Sequence, residues 1–339
     1  MKIVIRCDMG GSDGMGHVSR CKALADALAA RGADICFLIR TFAPLSLREL
    51  YPILIEHESH GTMLSEEAWI SANFNILSTQ IGTDVLILDK KYSYDLQWLL
   101  ALRNQVGIVR VDHPHAETGT ADLVVIPNAH QPDATVARLH RDFPSALLCG
   151  PEYAILPPDV PRQDDDADTL LFLTGGTNPG GLMEHFYEMT RGMALPGCRS
   201  FVYALGSLAR FEPGLSLDAR TERGRVLREF DRALYRRTRL AVSLFGVTTY
   251  ELLAAGVPTL SIAHTDENVD GQELLAARSG GLIVPLGHVR ELQAATLRAA
   301  IQRAWANDSW QRLVWERGPT LVDGQGAARV TGEILRRFG

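Results

Sequence analysis

Apolar and polar positions along the first half of the chain follow the order expected for strands that alternate with helices. Residues 2–6 form a short apolar run, and apolar residues then recur at helical spacing from Val18 to Leu28, before the helix-stopping pair Arg31-Gly32. Further strands are predicted at residues 34–39, 51–55, 83–89, 107–112, 123–126 and 146–149, and helices at 65–80 and 95–104. This alternation predicts a doubly wound parallel sheet.

A second alternation of strand, glycine-containing loop and helix begins at residue 169. Strands are predicted at residues 169–174, 199–205, 239–244 and 258–262, and a terminal helix at 325–338. Prolines and the acidic run 164–166 mark a connector between the two alternations; such charge runs are usually solvated, so a metal site there is not favoured. We predict an N-terminal domain over 1–156, a linker over 157–168 and a C-terminal domain over 169–339.

Composition narrows the class of protein. A chain of 339 residues with 46% hydrophobic and 22% charged residues is typical of a soluble globular protein of about two domains. The net charge of −6 argues against a general nucleic-acid binder. No membrane span and no signal peptide are predicted. Five scattered cysteines without a Cys-x-x-Cys pair favour a reducing, cytoplasmic location.

The stretch between the first strand and the first helix carries the first candidate chemistry. Gly14 and Gly16 allow a ligand to approach the backbone, and the helix start offers unpaired N–H groups at the positive end of the helix dipole. This dipole disfavours an imidazolium at His17, and a neutral imidazole can act as a general base. A turn histidine that only caps or packs fits the spacing equally well.

A second candidate site follows the predicted strand that ends at Leu244. Backbone N–H groups at the next helix start can bind a diphosphate, with hydroxyls from Thr248 and Thr249, while Glu251 can accept from ribose hydroxyls. The alternative is a capping box with Thr248 as N-cap and Glu251 at the third helical position. Spacing alone favours the capping box, because this pattern occurs at many helices.

The first motif resembles the opening of a known family. The residues that carry the resemblance are Arg6, Asp8, Gly14, Gly16, His17 and Arg20. The family comprises nucleotide-sugar hydrolases that cleave UDP from a 2,4-diacetamido-2,4,6-trideoxy sugar in the pseudaminic acid pathway, with relatives in spore-coat polysaccharide synthesis. It is similar to the GT-B glycosyltransferases typified by the lipid II-forming enzyme. The resemblance implies an α/β, GT-B-like fold with two Rossmann-like domains whose parallel sheets face a cleft. It also implies that the last helix is a candidate for crossing back to the N-terminal domain. The family's catalytic histidine matches His17.

Other segments extend the resemblance over residues 1–272. The stretch from Gly246 to Pro258 resembles the family's nucleotide signature, in which the hydroxyls serve the diphosphate and the acid serves the ribose. Residues 175–179 resemble the family's Gly-Gly-Ser-Asp-Pro loop, which faces the cleft, so Gly176, Thr177 and Asn178 are implied at the substrate. Asn268 matches the Asn of the family's Asn-Gln pair, whose Gln is absent here.

Two departures lie in the N-terminal domain, which holds the sugar in this fold. The family's His after the acid that matches Asp89 is missing, and the segment 111–115 replaces a family loop. Asp8, Asp89 and Tyr92 are implied to orient the sugar, whose identity the departures leave open. His113 and His115, with Asp112 beside them, invite a metal interpretation, but a polar loop is the simpler one.

We therefore predict a metal-independent UDP-sugar hydrolase without a cofactor, in which His17 activates water that attacks the anomeric carbon and UDP leaves. The predicted catalytic residues are His17, Asp8 and Tyr92. The predicted substrate-binding residues are Gly14, Gly16, Arg20, Asp89, Gly176, Thr177, Asn178, Gly246, Thr248, Thr249, Glu251 and Asn268. The only predicted partner is the UDP-sugar itself, and the oligomeric state stays open.

Two alternatives remain. In a GT-B glycosyltransferase that uses a UDP-sugar donor, His17 would activate an acceptor hydroxyl instead of water. An exposed apolar patch over residues 45–54, with Arg40 and Arg48 nearby, would favour this activity. In a non-catalytic nucleotide-sugar sensor, UDP would bind and no donor would turn over.

Overall fold

The computed structural model describes most of the chain. The described residues are 1–8, 15–40, 47, 50–55, 65–80, 82–90, 92–112, 120–143, 146–206, 209, 224–227 and 230–339, with backbone only at 54–55 and 74–80. Among them, no helix combines the length and apolar character that crossing a bilayer requires.

Seven parallel strands form the sheet of the N-terminal half. They are β1 (Lys2–Cys7), β2 (Asp34–Ile39), β3 (Ile53–Ile55), β4 (Val85–Asp89), β5 (Gly107–Val111), β6 (Leu123–Ile126) and β7 (Leu147–Cys149). The described helices of this half are α1 (Gly16–Ala29), α2 (Glu66–Gln80), α3 (Leu96–Arg103) and α4 (Asp133–Asp142). The strand order is β3-β2-β1-β4-β5-β6-β7. Helices cover both faces, so the central strands are buried and read as continuous apolar runs.

Six parallel strands form the second sheet. They are β8 (Thr169–Leu173), β9 (Ser200–Ala204), β10 (Gly224–Leu227), β11 (Thr238–Leu244), β12 (Thr259–Ala263) and β13 (Ile283–His288), in the order β10-β9-β8-β11-β12-β13. The helices are α5 (Leu182–Thr190), α6 (Val247–Ala255), α7 (Asp266–Ser279), α8 (Ala294–Trp305), α9 (Asp308–Leu321) and α10 (Gly326–Phe338). The predicted fold class, two parallel α/β sheets, is confirmed.

Each sheet reverses its strand order between its first and fourth strand, at β1/β4 and at β8/β11. In open α/β sheets, ligands bind in the crevice outside the carboxyl ends of the strands at such a point. The residues that follow β1, β4 and β11 are therefore positioned to build a site.

The last helix packs against the first half of the chain. Ala327, Val330 and Ile334 of α10 belong to the same apolar core as α1 and β1. Glycines permit the close contacts at both ends of α10. A Cβ at Gly107 would lie 2.4 Å from the Phe338 ring, and one at Gly326 would lie 2.1 Å from a backbone oxygen. The domain limits at residues 156 and 169 stay a prediction.

Candidate active site

A cleft of about 1310 Å³ lies between the carboxyl edges of the two sheets. Both halves of the chain line it, with His17 and Tyr92 on one wall and Gly246, Thr248 and Glu251 on the other. The volume is large enough for a nucleotide sugar and a second small molecule, because ligand sites of about 300–1,000 Å³ hold one drug-sized ligand.

Two helix starts meet in this cleft. Gly16, the first residue of α1, lies so close to α6 that a Cβ there would sit 3.4 Å from Cγ2 of Val247. The loop after β8 also approaches α1, since a Cβ at Gly176 would overlap the side chain of Met15. First-turn N–H groups and the positive ends of both helix dipoles thus face a shared space, which favours an anion such as a diphosphate.

His17 lies on the cleft wall, and its ring is fixed from behind. Its Nδ1 atom is 2.7 Å from Oδ1 of Asp89, the last residue of β4. Nη2 of Arg20, which can only donate, also lies 3.0 Å from Nδ1, but the contact with the carboxylate is the shorter one. Because a carboxylate only accepts hydrogen bonds, we assign the proton to Nδ1 and the lone pair to Nε2. This tautomer is the one that can take a proton at Nε2.

Asp89 is completely buried and is held by a guanidinium as well as by the imidazole. Arg20 donates from Nε to Oδ2 at 2.6 Å and from Nη2 to Oδ1 at 2.5 Å. Burial alone would raise the pKa of Asp89, but the charges and hydrogen bonds of Arg20 and His17 outweigh it and hold this pKa well below its usual range. Asp89 is therefore a carboxylate at all physiological pH values.

Asp89 and Asp8 do not lie where the sequence analysis placed them. Both were expected to contact the sugar, yet neither lines the cleft. Asp8 is 4% exposed, and each of its oxygens accepts from Arg6 at 2.6 Å. Lys90 also donates to Asp8 at 2.8 Å, and Arg6 bonds Glu66 at 2.7 Å. A buried carboxylate must be paired, and these partners consume its hydrogen-bonding capacity inside the domain.

Two other predicted residues of the N-terminal half do line the cleft. Tyr92 donates its hydroxyl to Glu67 at 3.1 Å, and burial together with this hydrogen bond raises its pKa, so the phenol stays protonated at neutral pH. Arg20 also reaches the wall, but its nitrogens bond Asp89 and Asp112. Arg20 is therefore better placed to fix other side chains than to bind a ligand.

The start of α6 separates the roles of two adjacent threonines. Thr248 lines the cleft, whereas Thr249 is fully buried and its Oγ1 accepts from the backbone N–H of Gly246 at 3.3 Å. Gly246 is the N-cap, so the capping box proposed around Thr248 does not form. Thr248 is left to face a ligand, and Thr249 stabilises the helix start.

Glu251 lines the cleft with its carboxylate already oriented. One oxygen accepts from Nη2 of Arg232 and the other from the Tyr235 hydroxyl, both at 2.8 Å. Each carboxylate oxygen has a second lone pair, so Glu251 retains the capacity to accept from ribose hydroxyls.

The loop after β8 likewise contains residues that line the cleft and one that does not. Gly176 and Thr177 line the cleft, and Asn178 does not. Asn178 adopts a left-handed backbone (φ 50°) and uses its side chain to bond Glu184 and the N–H of Met183, which shapes the turn into α5. Asn268, near the start of α7, lines the cleft.

Several predicted features lie outside the described residues: Gly14, His113, His115, Arg48 and, within the apolar segment 45–54, residues 45, 46 and 49. Within that segment Leu47 is fully buried and Leu50 is 59% exposed. The described part therefore offers one exposed apolar side chain rather than a patch.

The structure also brings forward residues that the sequence analysis missed. Asp112, Asn128, His130, Arg232 and Tyr250 line the cleft. For Asp112 a signal existed, because an apolar strand ends in this acid just as β4 ends in Asp89. Arg232 sits in a segment with no distinguishing motif, and Tyr250 lies within the stretch 246–258 at a position to which that motif assigns no role.

Comparison with known proteins gives one similar sequence and many similar structures. No protein-family model matches the chain. The spore coat polysaccharide biosynthesis protein SpsG of Bacillus subtilis (strain 168) is 22% identical over 359 aligned positions, which cover 98% of this chain and 97% of SpsG.

Three solved structures represent the structural similarity. The calicheamicin glycosyltransferase CalG4 has a TM-score of 0.66 at 18% identity, with 98% of this chain and 97% of CalG4 covered. MurG of Acinetobacter baumannii has a TM-score of 0.67 at 16% identity, with 99% and 100% covered. A UDP-GlcNAc 2-epimerase from Neisseria meningitidis bound to UDP-GlcNAc has a TM-score of 0.63 at 12% identity, with 99% and 100% covered.

These comparisons confirm the GT-B fold and correct the predicted activity. The similar structures include several glycosyltransferases, together with epimerases that act on nucleotide sugars. The prediction of a hydrolase acting on a UDP-linked diacetamido-trideoxy sugar is therefore wrong as the main interpretation. The findings support its glycosyltransferase alternative.

Proposed function

We propose that the protein is a glycosyltransferase that transfers a sugar from a UDP-sugar donor to an acceptor hydroxyl. One observation carries this proposal: an imidazole whose Nδ1 is bound to a buried carboxylate stands on the cleft wall opposite the start of α6. A base on one wall and an anion-binding helix start on the other can deprotonate an attacking hydroxyl and stabilise the leaving diphosphate. The glycosyltransferases among the similar structures favour an acceptor hydroxyl over water as the attacking group.

In the proposed reaction the donor lies against the C-terminal half, within residues 169–339. The helix start at Gly246 and the hydroxyl of Thr248 bind the diphosphate, Gly176 and Thr177 lie beside it, Glu251 accepts from the ribose, and Asn268 lies near the sugar. The negative charge that develops on the departing diphosphate is stabilised by the α6 dipole and its free first-turn N–H groups.

The acceptor lies against the N-terminal half, within residues 1–156, beside Tyr92. His17 takes the proton of the acceptor hydroxyl at Nε2 while the oxygen attacks the anomeric carbon, and the bond to the diphosphate breaks. Asp89 stabilises the imidazolium that forms. A positioned base of this kind contributes about 10²–10⁴ in rate. The similar structure of an epimerase bound to UDP-GlcNAc supports a nucleotide-sugar substrate.

The test is a transfer assay with purified protein. UDP-sugar donors are combined with a panel of hydroxyl acceptors, with Mg²⁺ and separately with EDTA, and both free UDP and glycosylated product are measured. We expect product that depends on the acceptor and is nearly abolished in His17→Ala, while UDP binding by calorimetry is kept. UDP binding without product from any donor and acceptor, or full activity in His17→Ala, would contradict the proposal.

A further inference from the structure

We propose that Asp112 is a positioning residue that acts on His17 through Arg20, by supplying the negative charge that compensates the imidazolium formed during the reaction. The inference rests on the proposed role of His17 as the base. The motifs that carry the family resemblance do not include Asp112.

The first argument is a continuous chain of charged hydrogen bonds. Arg20 spans two carboxylates: its Nε and Nη2 bond Asp89, and its Nη1 donates to Oδ2 of Asp112. The other oxygen of Asp112 accepts from Nδ2 of Asn128 at 2.5 Å. The planar guanidinium fork fixes the geometry of both carboxylates, so a change at Asp112 is transmitted to the partner of His17.

The second argument is the charge of the group. Arg20 carries one positive charge, and Asp89 and Asp112 carry two negative charges, so the set has a net charge of −1 while His17 is neutral. Arg20 and Asp89 are buried and Asp112 is largely so, and an uncompensated charge in such a place is costly. Protonation of His17 brings the set to zero. Asp112 therefore favours the imidazolium, as a nearby opposite charge does.

Among the residues that the structure describes, three neighbouring sets of titratable groups add no net charge here. The Cys21 thiol lies 3.1 Å from Oδ2 of Asp89, and burial raises the pKa of Cys21 well above its ordinary value, so it stays neutral. Lys90, next to Asp89 in sequence, directs its charge to Asp8 and Glu66. Across the cleft, Arg232 and Glu251 form an ion pair with no net charge.

The third argument is backbone strain. Asp112 has a left-handed backbone with φ of 61°, one of only three non-glycine residues with positive φ in the described chain. Such conformations are strained, persist where the surroundings over-determine them, and cluster at functional sites. In this conformation the Asp112 carboxylate accepts from Arg20 and Asn128 at the carboxyl edge of β5, beside the cleft.

The experiment measures the protonation of the His17 ring directly. The full-length protein is labelled at histidine and titrated by NMR, with the His17 signal identified by its loss in His17→Gln. Asp112→Asn removes the charge and keeps an acceptor oxygen, while Asp112→Gly removes both. Asparagine and glycine both tolerate a left-handed backbone, so neither variant adds strain.

Asp122→Asn is the matched control. Asp122 is also paired with an arginine, Arg103, but it precedes β6 at the opposite edge of the same sheet. We expect the pH at which His17 protonates to fall by roughly half a unit to one unit in both Asp112 variants. This shift is smaller than the one that a charge in direct contact with the ring produces, because Asp112 acts through Arg20. The pH should stay unchanged in Asp122→Asn.

In the transfer assay, the acidic limb of the kcat/KM profile should move to lower pH by the same amount, because the weaker base stays deprotonated down to a lower pH. A His17 titration that does not move in folded Asp112→Asn overturns the proposal even if transfer is found. A titration that moves as expected supports the charge coupling even if no donor turns over, so this test is separate from that of the proposed function.

Discussion

The Nδ1 atom of His17 lies 2.7 Å from Oδ1 of Asp89, although 72 residues separate them along the chain. The pair forms because α1 begins, and β4 ends, at the same edge of the sheet, with β1 and β4 as neighbours. Asp89 thus acts on the imidazole rather than on a ligand, and the tautomer of His17 depends on it.

Asp89→Asn should therefore disable the base without removing the histidine. Arg20 can only donate and it bonds both oxygens of Asp89, so an amide in either orientation sets its NH₂ against an Arg20 N–H. The variant also lacks the negative charge that stabilises the imidazolium. We expect kcat of transfer to fall on the order of 10²–10⁴-fold. UDP affinity by calorimetry should not change, because the proposed diphosphate site lies on α6. An unchanged kcat in the folded variant would exclude this role of Asp89.

The central strands of both sheets could be predicted from sequence, and two edge strands could not. β1, β4, β8 and β11 are continuous apolar runs because helices cover both faces of the sheet. β10 and β13 pair on one side only, and β13 contains Pro285 and Gly287, which break the strand pattern. Helix α4 was also missed, because most of its residues are polar and Leu139 is its one buried residue.

The chemistry of the site was partly visible and partly not. A carboxylate at the end of a buried strand is a local signal, and Asp89 shows it. Whether that carboxylate faces a ligand or a guanidinium depends on Arg20, 69 residues away, and local sequence does not encode this distance. The environment of Asp8 also depends on a contact between distant parts of the chain, because its partner Arg6 is bound by Glu66 from a separate helix. The prediction made from motifs alone therefore placed two buried acids, Asp8 and Asp89, in contact with substrate.

Thr248 and Thr249 give a matched pair of substitutions at the start of α6. Thr249→Ala removes the hydroxyl that accepts from the N–H of Gly246, so we expect the protein to lose about 1 kcal/mol of unfolding free energy. Thr248→Ala should leave stability within about 0.5 kcal/mol and weaken UDP binding several-fold, since it removes one proposed hydrogen bond to the diphosphate. Calorimetry with UDP and urea unfolding measure both quantities. The reverse pattern would show that Thr249, not Thr248, serves the ligand.

Tyr250 connects the two halves of the chain across the cleft. Its hydroxyl accepts from the N–H of Ala129 at 3.0 Å and lies 2.9 Å from Nδ1 of His130. Tyr250→Phe leaves a buried N–H without this acceptor, at a cost of about 1–3 kcal/mol, and should loosen the contact between the halves.

We expect Tyr250→Phe to raise the KM for donor as well as lower the melting temperature. Tyr203→Phe is the control, because that hydroxyl bonds Thr190 at 2.7 Å inside the C-terminal core. The control should lose stability with the donor KM unchanged. A donor KM that is equal in Tyr250→Phe and Tyr203→Phe would show that the Tyr250 contact does not maintain the geometry of the cleft.

The buried cluster around Arg6 predicts how stability depends on pH. Burial alone would raise the pKa of Asp8, but Arg6 and Lys90 outweigh it and lower this pKa from 3.8 to about 2. A carboxyl whose pKa is depressed in the folded state stabilises the protein above its unfolded pKa and loses that contribution as the pH falls through the folded value. Ionised Asp8 should therefore contribute about 2 kcal/mol at neutral pH, which disappears between about pH 4 and pH 2.

Urea unfolding of the natural protein and of Asp8→Asn across this range tests the effect. We expect the two stabilities to differ by about 2 kcal/mol or more at pH 7 and to converge near pH 2. Glu333→Gln is the control: the pKa of Glu333 is also lowered to about 2, by hydrogen bonds from Arg336 and Arg337 that outweigh its partial burial, but at the surface. Salt at about 0.5 M should erase the smaller effect of Glu333 and leave that of Asp8, because buried pairs are screened far less. A difference for Asp8 that persists unchanged down to pH 2 would mean that the ion pairs with Arg6 and Lys90 do not stabilise the fold.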